Sequence, residues 1–175
     1  MAIELILGGA RSGKSRLAED IAVKSAHDVT YIATAKAEDA EMATRILQHQ
    51  KRRPAHWQLV EEQFFLADVL SQHAEVGRVL LIDCLTLWLS NILLHSDGKR
   101  LWQQEKSKLL NILPTIFSPI IFVANETGLG VVPMGELSRN FVDEAGWLHQ
   151  DLAKICDRVI FTVAGVPMVL KGERL

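Results

Sequence analysis

The sequence has few cysteines, little net charge and no long apolar run, and each shortage excludes a class of protein. Cys84 and Cys156 are too few for a disulfide framework and have no CxxC spacing, so we expect a reduced, cytoplasmic chain. A formal net charge of −2 gives no general electrostatic reason to bind nucleic acid or an anionic membrane. The longest apolar stretch, Val79 to Leu94, contains Asp83 and Asn91 and is shorter than the roughly 20 residues of a membrane span.

The composition is that of a folded globular protein. Apolar residues make up 49% of the chain and charged residues 23%, which argues against disorder. The first apolar run, Met1 to Leu7, lacks a basic region and a cleavage site, so we expect no export signal. With 175 residues and no repeat or linker, we expect a single domain over residues 1–175.

Short apolar runs alternate with amphipathic segments along the chain. The runs predict strands over Ile3–Leu7, Val29–Ala33, Val79–Asp83, Ile120–Ala124 and Arg158–Val163, with further short runs at Trp57–Val60 and Met168–Leu170. The segments between them predict helices over Lys14–Ala26, Glu38–Arg52, Gln63–His73, Leu101–Leu113 and Glu136–Ile155, and another starting near Leu85. This alternation predicts an α/β fold with a mostly parallel central sheet flanked by helices.

One segment fits the phosphate-loop pattern G-x-x-x-x-G-K-[ST] at every fixed position and indicates a P-loop NTPase-like site: Gly8-Gly9-Ala10-Arg11-Ser12-Gly13-Lys14-Ser15. The backbone N–H groups of such a loop converge on phosphate at the start of a helix. Lys14 would reach the β- and γ-phosphates, and the Ser15 hydroxyl would bind Mg²⁺. The alternative, a turn that merely joins strand to helix, does not need the whole pattern.

A phosphate loop also needs an acidic residue at the end of a neighbouring strand to hold Mg²⁺. Asp83 ends the predicted strand that starts at Val79 and supplies this carboxylate. Asp83 could instead cap the helix near Leu85, and the two roles are compatible. We therefore predict Ser15 and Asp83 as the metal ligands.

A basic cluster ends the predicted helix over Glu38–Arg52: His49-Gln50-Lys51-Arg52-Arg53-Pro54. Three consecutive cations suit a polyphosphate, and an imidazole that is neutral near pH 7 can attack phosphorus. The ordinary alternative is a solvated helix end whose cations complement the helix dipole. Composition alone favours that alternative.

Further motifs follow the phosphate loop in order along the chain. They are Tyr31-Ile32-Ala33-Thr34-Ala35, Glu41-Met42-Ala43-x-Arg45-Ile46, His49, Arg53-Pro54-x-His56-Trp57, Asp83-Cys84-Leu85-Thr86, Asn125-Glu126-Thr127-Gly128-Leu129-Gly130-Val131-Val132-Pro133, and Arg139-x-Phe141-x-Asp143-x-x-Gly146 with Gln150. In this combination the sequence resembles the bifunctional adenosylcobinamide kinase/adenosylcobinamide-phosphate guanylyltransferase family of cobalamin biosynthesis. The resemblance covers nearly the whole chain.

The resemblance implies a two-step transferase that uses Mg²⁺. The first step phosphorylates the hydroxyl of adenosylcobinamide with ATP or GTP. In the second step His49 takes GMP from GTP, and the substrate phosphate displaces the histidine to give adenosyl-GDP-cobinamide. His56 is the second choice of nucleophile. The other readings are a guanylyltransferase without kinase activity, and a P-loop small-molecule kinase or nucleotide-dependent switch without a covalent intermediate.

The resemblance also implies the remaining site residues and the assembly. Nucleotide contacts are expected from Ala33, Thr34, Ala35, Gln50, Lys51, Arg52, Arg53 and Glu61, in addition to the phosphate loop and Asp83. Glu126 is expected to act as a base or to contact substrate, whereas an ion pair on a helix surface suffices to explain Arg139 and Asp143. Many relatives have Arg and Asn where this chain has Trp147 and His149. Trp147 is expected to be a packing or interface residue, and His149 is expected to be structural. The family implies a homotrimer, with which apolar residues such as Trp88 and Trp102 are consistent.

Overall fold

The fold is taken from a computed structural model that describes residues 2–36 and 53–175. Seven strands lie in these ranges: β1 (Ile3–Gly8), β2 (Asp28–Ala33), β3 (Gln58–Glu61), β4 (Arg78–Asp83), β5 (Ile120–Asn125), β6 (Arg158–Val163) and β7 (Val166–Lys171). Five α-helices accompany them: α1 (Lys14–Lys24), α2 (Leu66–His73), α3 (Leu85–Leu93), α4 (Gly98–Ile112) and α5 (Glu136–Ile155). A short 3₁₀-helix spans Leu113–Thr115. The predicted helix over Glu38–Arg52 lies outside the described residues.

The described strands form one sheet in the order β3-β2-β4-β5-β1-β6-β7. Every neighbouring pair from β3 to β6 is parallel, and β7 alone runs antiparallel to β6. The mostly parallel sheet with flanking helices confirms the predicted α/β fold class, and the phosphate-loop segment lies between β1 and α1 as predicted. All five predicted strands are confirmed, and the two short runs become β3 and β7.

Alternate residues of the central strands face two separate hydrophobic layers, because successive side chains of a strand point to opposite faces. Leu5, Ile32 and Phe122 belong to the larger layer, with apolar side chains from α2, α3, α4 and α5. Ile6 and Tyr31 belong to the other layer, which α1 covers with its alanines. Burial on both faces explains why these strands are almost continuously apolar.

Three helices have boundaries that differ from the predicted ones. Helix α4 spans Gly98–Ile112 rather than Leu101–Leu113, because the Gly-Lys-Arg of its first turn carries no apolar periodicity. The other two differ for local reasons. Helix α2 begins at Leu66 rather than Gln63, because the Glu62 carboxylate accepts hydrogen bonds from the N–H groups of Phe64 and Phe65 and holds them in a turn. Helix α1 ends at Lys24, since Ala26 has a left-handed φ of 55° that no α-helix continues through.

Two further findings concern membrane-spanning helices and cysteines in the described residues. Within residues 2–36 and 53–175, no helix combines the length and the apolar character needed to cross a membrane. Cys84 and Cys156 are both free and buried.

Candidate nucleotide site

The phosphate loop joins β1 to α1 and is supported by two other strand ends. A Cβ on Gly8 would lie 2.5 Å from Ser12 Oγ and 2.6 Å from the Thr162 carbonyl oxygen, so this position needs glycine. The Glu126 N–H donates to the Gly8 carbonyl at 3.0 Å, and the Gly165 N–H donates to the Ser12 carbonyl at 2.8 Å. The segments that follow β5 and β6 therefore fix the loop from both sides.

Lys14 is the buried cation of the loop. It is 9% exposed, and its Nζ donates to the Gly9 carbonyl at 3.1 Å. Burial lowers the pKa of Lys14, whereas the nearby Cys84 and Asp83 raise it in part. An ammonium group that is desolvated at a helix N-terminus is well placed for a phosphate anion. Gly9, Ala10 and Arg11 are exposed along the same loop, and Ser15 is partly exposed in the first turn of α1.

Three buried polar atoms around the loop have no hydrogen-bond partner among the described residues. They are Ser12 Oγ, Asn125 Oδ1 and Thr162 Oγ1. Asn125 and Thr162 are the two sheet neighbours of Gly8, one on each side of β1. Buried polar atoms are normally hydrogen-bonded, so this set is suited to a polar ligand or water at the loop.

The carboxyl ends of β2, β3 and β4 place three predicted residues next to each other. Ala33 of β2 is paired with Glu61 of β3 on one side and with Asp83 of β4 on the other. Glu61 is exposed, and Ala33 and Asp83 are partly exposed. This edge is where open parallel sheets bind ligands.

Thr34 joins the ends of β2 and β4. Its hydroxyl donates to the Cys84 carbonyl at 2.6 Å and accepts from the Cys84 N–H at 2.9 Å, while Asn91 Nδ2 donates to the Thr34 carbonyl at 2.9 Å. Thr34 is fully buried, and burial raises the pKa of the Cys84 thiol to about 11. Thr34 thus holds the backbone after Asp83 in place, and its direct contact with nucleotide stays a prediction.

Asp83 and Arg53 both contact Tyr31. The Tyr31 hydroxyl donates to Asp83 Oδ2 at 2.9 Å, and the Arg53 guanidinium carbon lies 3.8 Å from the centre of the Tyr31 ring. Tyr31 and Arg53 line a pocket of about 160 Å³ together with residues that include Trp57 and Gln58. No role was predicted for Tyr31, although it lies in one of the motifs given above. Its contact with Asp83 follows from the pairing of β2 with β4, which the sequence pattern does not give.

The donor set at the loop fits Mg²⁺ that is shared with a nucleotide. No group of three or more potential His, Cys, Asp or Glu ligands occurs in the part of the chain that the structure describes. Mg²⁺ is usually bound through one or two carboxylates together with substrate phosphates and water. The Ser15 hydroxyl and the Asp83 carboxylate would hold it here, and when bound it would neutralise phosphate charge.

Glu126 lies at the end of β5, beside the phosphate loop. Its Oε1 accepts the Gly128 N–H at 2.5 Å, and its Oε2 is 3.8 Å from Nδ1 of His149 on α5. Burial lowers the pKa of His149, and the Glu126 carboxylate opposes this shift. His149 is 8% exposed, so it faces Glu126 from within the fold.

The remaining predicted site residues either lie outside the described ranges or have other surroundings than expected. His49, Gln50, Lys51 and Arg52 lie outside the described residues, and His56 is exposed. Arg139 donates to the carbonyls of Pro133 and Met134, and no Arg139–Asp143 ion pair forms among residues 2–36 and 53–175, so the surface-pair explanation is not what the structure shows.

The tryptophans fall into two groups. Trp88 and Trp102 are buried in the core with ring centroids 5.2 Å apart, so they offer no surface for a trimer contact. Trp147 is 53% exposed and lies outside the core, and its expected role as an interface residue stays a prediction.

Comparison with known proteins shows similarity to one family over nearly the whole chain. The family described as "Cobinamide kinase / cobinamide phosphate guanyltransferase" matches residues 4–170. The chain is 62% identical over 172 residues to the bifunctional adenosylcobalamin biosynthesis protein CobP of Pseudomonas aeruginosa, covering 98% of this chain and 99% of that protein. It is 34% identical over 179 residues to the bifunctional adenosylcobalamin biosynthesis protein CobU of Escherichia coli, covering 95% and 98%.

A solved structure of a Pyrococcus horikoshii protein is similar in fold. Its TM-score is 0.58 at 10% identity, with 99% of this chain and 87% of that chain covered. At this identity the similarity concerns the fold alone.

Proposed function

Because the chain belongs to the cobinamide kinase/cobinamide phosphate guanyltransferase family and is a transferase, we propose that it phosphorylates adenosylcobinamide and then transfers GMP to the product through a guanylyl-histidine. The observation that supports this best is the buried Lys14 in a complete phosphate loop, with Asp83 at the end of a nearby strand. The names of the two relatives describe bifunctional proteins of adenosylcobalamin biosynthesis.

In the kinase step the substrate hydroxyl oxygen attacks the γ-phosphorus of ATP or GTP, and the bond to the β-phosphate oxygen breaks. We assign the phosphates to the loop N–H groups and Lys14, which stabilise the charge of the transferred group. Glu126 takes the hydroxyl proton, because its carboxylate lies beside the loop and is fixed by the Gly128 N–H. ADP or GDP leaves.

In the guanylyl step an imidazole nitrogen of His49 attacks the α-phosphorus of GTP, a P–N bond forms, and pyrophosphate leaves. An oxygen of the cobinamide phosphate then attacks the same phosphorus, the P–N bond breaks, and adenosyl-GDP-cobinamide is released. Lys51, Arg52 and Arg53 neutralise the triphosphate, as guanidinium groups do for phosphate. Gln50 and Glu61 contact the nucleotide in the same proposal.

Intact mass spectrometry after mixing the protein with GTP and Mg²⁺ tests the covalent step. We expect a mass gain of one GMP that is lost in acid, is absent from His49→Ala and persists in the matched control His56→Ala. An adduct that persists in His49→Ala and disappears in His56→Ala would move the nucleophile to His56. If GTP binds and no adduct forms in the unsubstituted protein, the chain is a kinase or a nucleotide-dependent switch.

A separate assay distinguishes the bifunctional enzyme from a guanylyltransferase alone. Adenosylcobinamide and ATP are supplied without GTP, and phosphate transfer to the corrinoid is followed by mass. We expect phosphorylated product from the unsubstituted protein and from His49→Ala, and none from Lys14→Met. Product formation by Lys14→Met would contradict the assignment of the kinase step to the phosphate loop.

We also propose that the chain forms a homotrimer in the cytoplasm. The buried Trp88 and Trp102 do not support this, whereas the exposed apolar side chains of Val131, Met134 and Trp147 give an assembly surface to cover. Sedimentation equilibrium tests the assembly, with a trimer mass expected and a monomer mass contradicting it.

A further inference from the structure

Tyr31 is the only tyrosine of the chain, and it joins two parts of the site that the proposed function uses separately. Its hydroxyl is 2.9 Å from Asp83 Oδ2, and its ring lies 3.8 Å from the Arg53 guanidinium carbon. The residue is 4% exposed. A phenylalanine would fill the same space, so packing alone does not require the hydroxyl.

The hydroxyl contact fixes a carboxylate that has no other hydrogen bond within residues 2–36 and 53–175. The Tyr31 hydroxyl donates this hydrogen bond, and the charged carboxylate accepts it. Because Asp83 Oδ2 is bonded in this way, the orientation of the carboxylate plane depends on Tyr31.

The ring contact fixes a cation that directly follows the predicted nucleophile segment. Arg53 is the last of the three cations after His49, and Pro54 comes next in the chain. A guanidinium over an aromatic face is attracted by the ring quadrupole, and this attraction is stronger where water is excluded. Tyr31 is a buried partner of this kind.

We propose that Tyr31 is a positioning residue for both transfer steps: its hydroxyl orients Asp83 toward the magnesium–nucleotide complex, and its ring holds Arg53 beside the GTP phosphates. This inference rests on the proposed function. The opposing view is that Tyr31 only fills the layer between α1 and the sheet.

Calorimetric titration of GTP, with Mg²⁺ and with EDTA, tests the hydroxyl. For Tyr31→Phe we expect about tenfold weaker GTP binding in Mg²⁺, since the lost hydrogen bond is to a charged group, and unchanged binding in EDTA. In an Asp83→Asn background, Tyr31→Phe should have no further effect. The matched control is Ile160→Val, a conservative change in the same hydrophobic layer, which should leave both affinities unchanged.

The rate of GMP attachment, followed by intact mass at saturating GTP and Mg²⁺, tests the ring. We expect Tyr31→Leu to be about fivefold slower than Tyr31→Phe, because only the first loses the cation–π contact. Arg53→Gln with Tyr31 intact should be slowed at least as much, because it removes the cation itself as well as its contact with the ring, and it keeps the test open if Tyr31→Leu does not fold. In an Arg53→Gln background the Leu and Phe variants should react at equal rates.

The outcomes separate this inference from the proposed function. If Tyr31→Phe loses equal GTP affinity in Mg²⁺ and in EDTA, or loses none in either, the positioning role of the hydroxyl is overturned. The proposed function stands in that case, because the unsubstituted protein still binds GTP. Unchanged attachment in Arg53→Gln would overturn the role of the ring. Failure of the unsubstituted protein to bind GTP with Mg²⁺ would overturn the proposed function and this inference together.

Discussion

The buried hydroxyl groups of Thr34 and Thr162 differ in their hydrogen-bond partners, and this difference decides what each contributes to stability. Thr34 and Thr162 are both almost completely buried. The Thr34 hydroxyl forms two hydrogen bonds with the Cys84 backbone, whereas the Thr162 hydroxyl has none within the described ranges. The same threonine-to-valine substitution therefore has opposite expected effects at the two positions.

We expect Thr34→Val to lower the free energy of unfolding by about 1–3 kcal/mol, because it leaves the buried Cys84 N–H unsatisfied, whereas the Cys84 carbonyl keeps the Trp88 N–H as a donor. Thr162→Val is the matched control and should be neutral or slightly stabilising, since it removes an unsatisfied buried hydroxyl. Urea unfolding without nucleotide measures both. Equal losses in the two variants would contradict the distinction.

His149 gives a residue-scale prediction about pH. Burial lowers the pKa of His149 from its ordinary value of 6.5, so below pH 6.5 the unfolded chain binds a proton that the folded protein binds less readily. The free energy of unfolding should therefore fall as the pH drops below 6.5, and fall less steeply in His149→Gln. The exposed His27, changed to Gln, is the control and should leave the slope unchanged. Parallel slopes for His149→Gln and the unsubstituted protein would contradict this.

At the scale of elements, the phosphate loop depends on one close backbone approach. A Cβ at Gly8 would meet the Thr162 carbonyl at 2.6 Å, and that atom belongs to β6 and cannot turn away. Gly9 is the contrasting neighbour, because a Cβ there has no atom within 4 Å.

We expect Gly8→Ala to reduce the free energy of unfolding by about 1–3 kcal/mol through overpacking. Gly9→Ala should change it by less than about 0.5 kcal/mol. Thermal unfolding without nucleotide compares the two. A Gly8→Ala protein as stable as Gly9→Ala would show that the close approach relaxes easily.

The elements that sequence predicted are those whose signal is local. The strands could be predicted because a buried parallel strand is apolar over its whole length. The loop could be predicted because its glycines and Lys14 occupy fixed positions. The start of α2 was missed because Glu62 binds the N–H groups that follow it, which no periodicity records. The roles of Tyr31 and of the Thr34–Cys84 contact depend on strand order, and periodicity in one sequence does not give strand order.

On the scale of the whole molecule, the strand order brings distant segments to one sheet edge. β1 lies between β5 and β6, so the loop after β1 contacts residues from positions 125–126 and 162–165. β4 lies between β2 and β5, which places Asp83 beside Ala33 and across from Val123. Ligand binding at this edge therefore stabilises contacts between segments that are far apart in the chain.

Lys14 connects this site to the stability of the whole protein. Its lowered pKa means that the unfolded chain holds the Lys14 proton more tightly, so the buried ammonium destabilises the folded state at neutral pH without ligand. Lys14→Met should therefore melt at a higher temperature than the unsubstituted protein without nucleotide. That advantage should shrink as the pH rises toward 10.5 and disappear above it, where the lysine is neutral in both states.

Nucleotide should reverse the order of these stabilities. At 100 times its dissociation constant, GTP with Mg²⁺ should stabilise the unsubstituted protein by about 2.7 kcal/mol, or about 5–10 °C in melting temperature. Lys14→Met should show almost no shift, because the phosphates lose the cation that they bind. Lys24→Met, an exposed lysine on the same helix, is the control and should retain the full shift. A full GTP shift in Lys14→Met would contradict the assignment of Lys14 to the phosphate site. If Lys14→Met melts at a lower temperature than the unsubstituted protein without nucleotide, burial of this ammonium does not destabilise the fold.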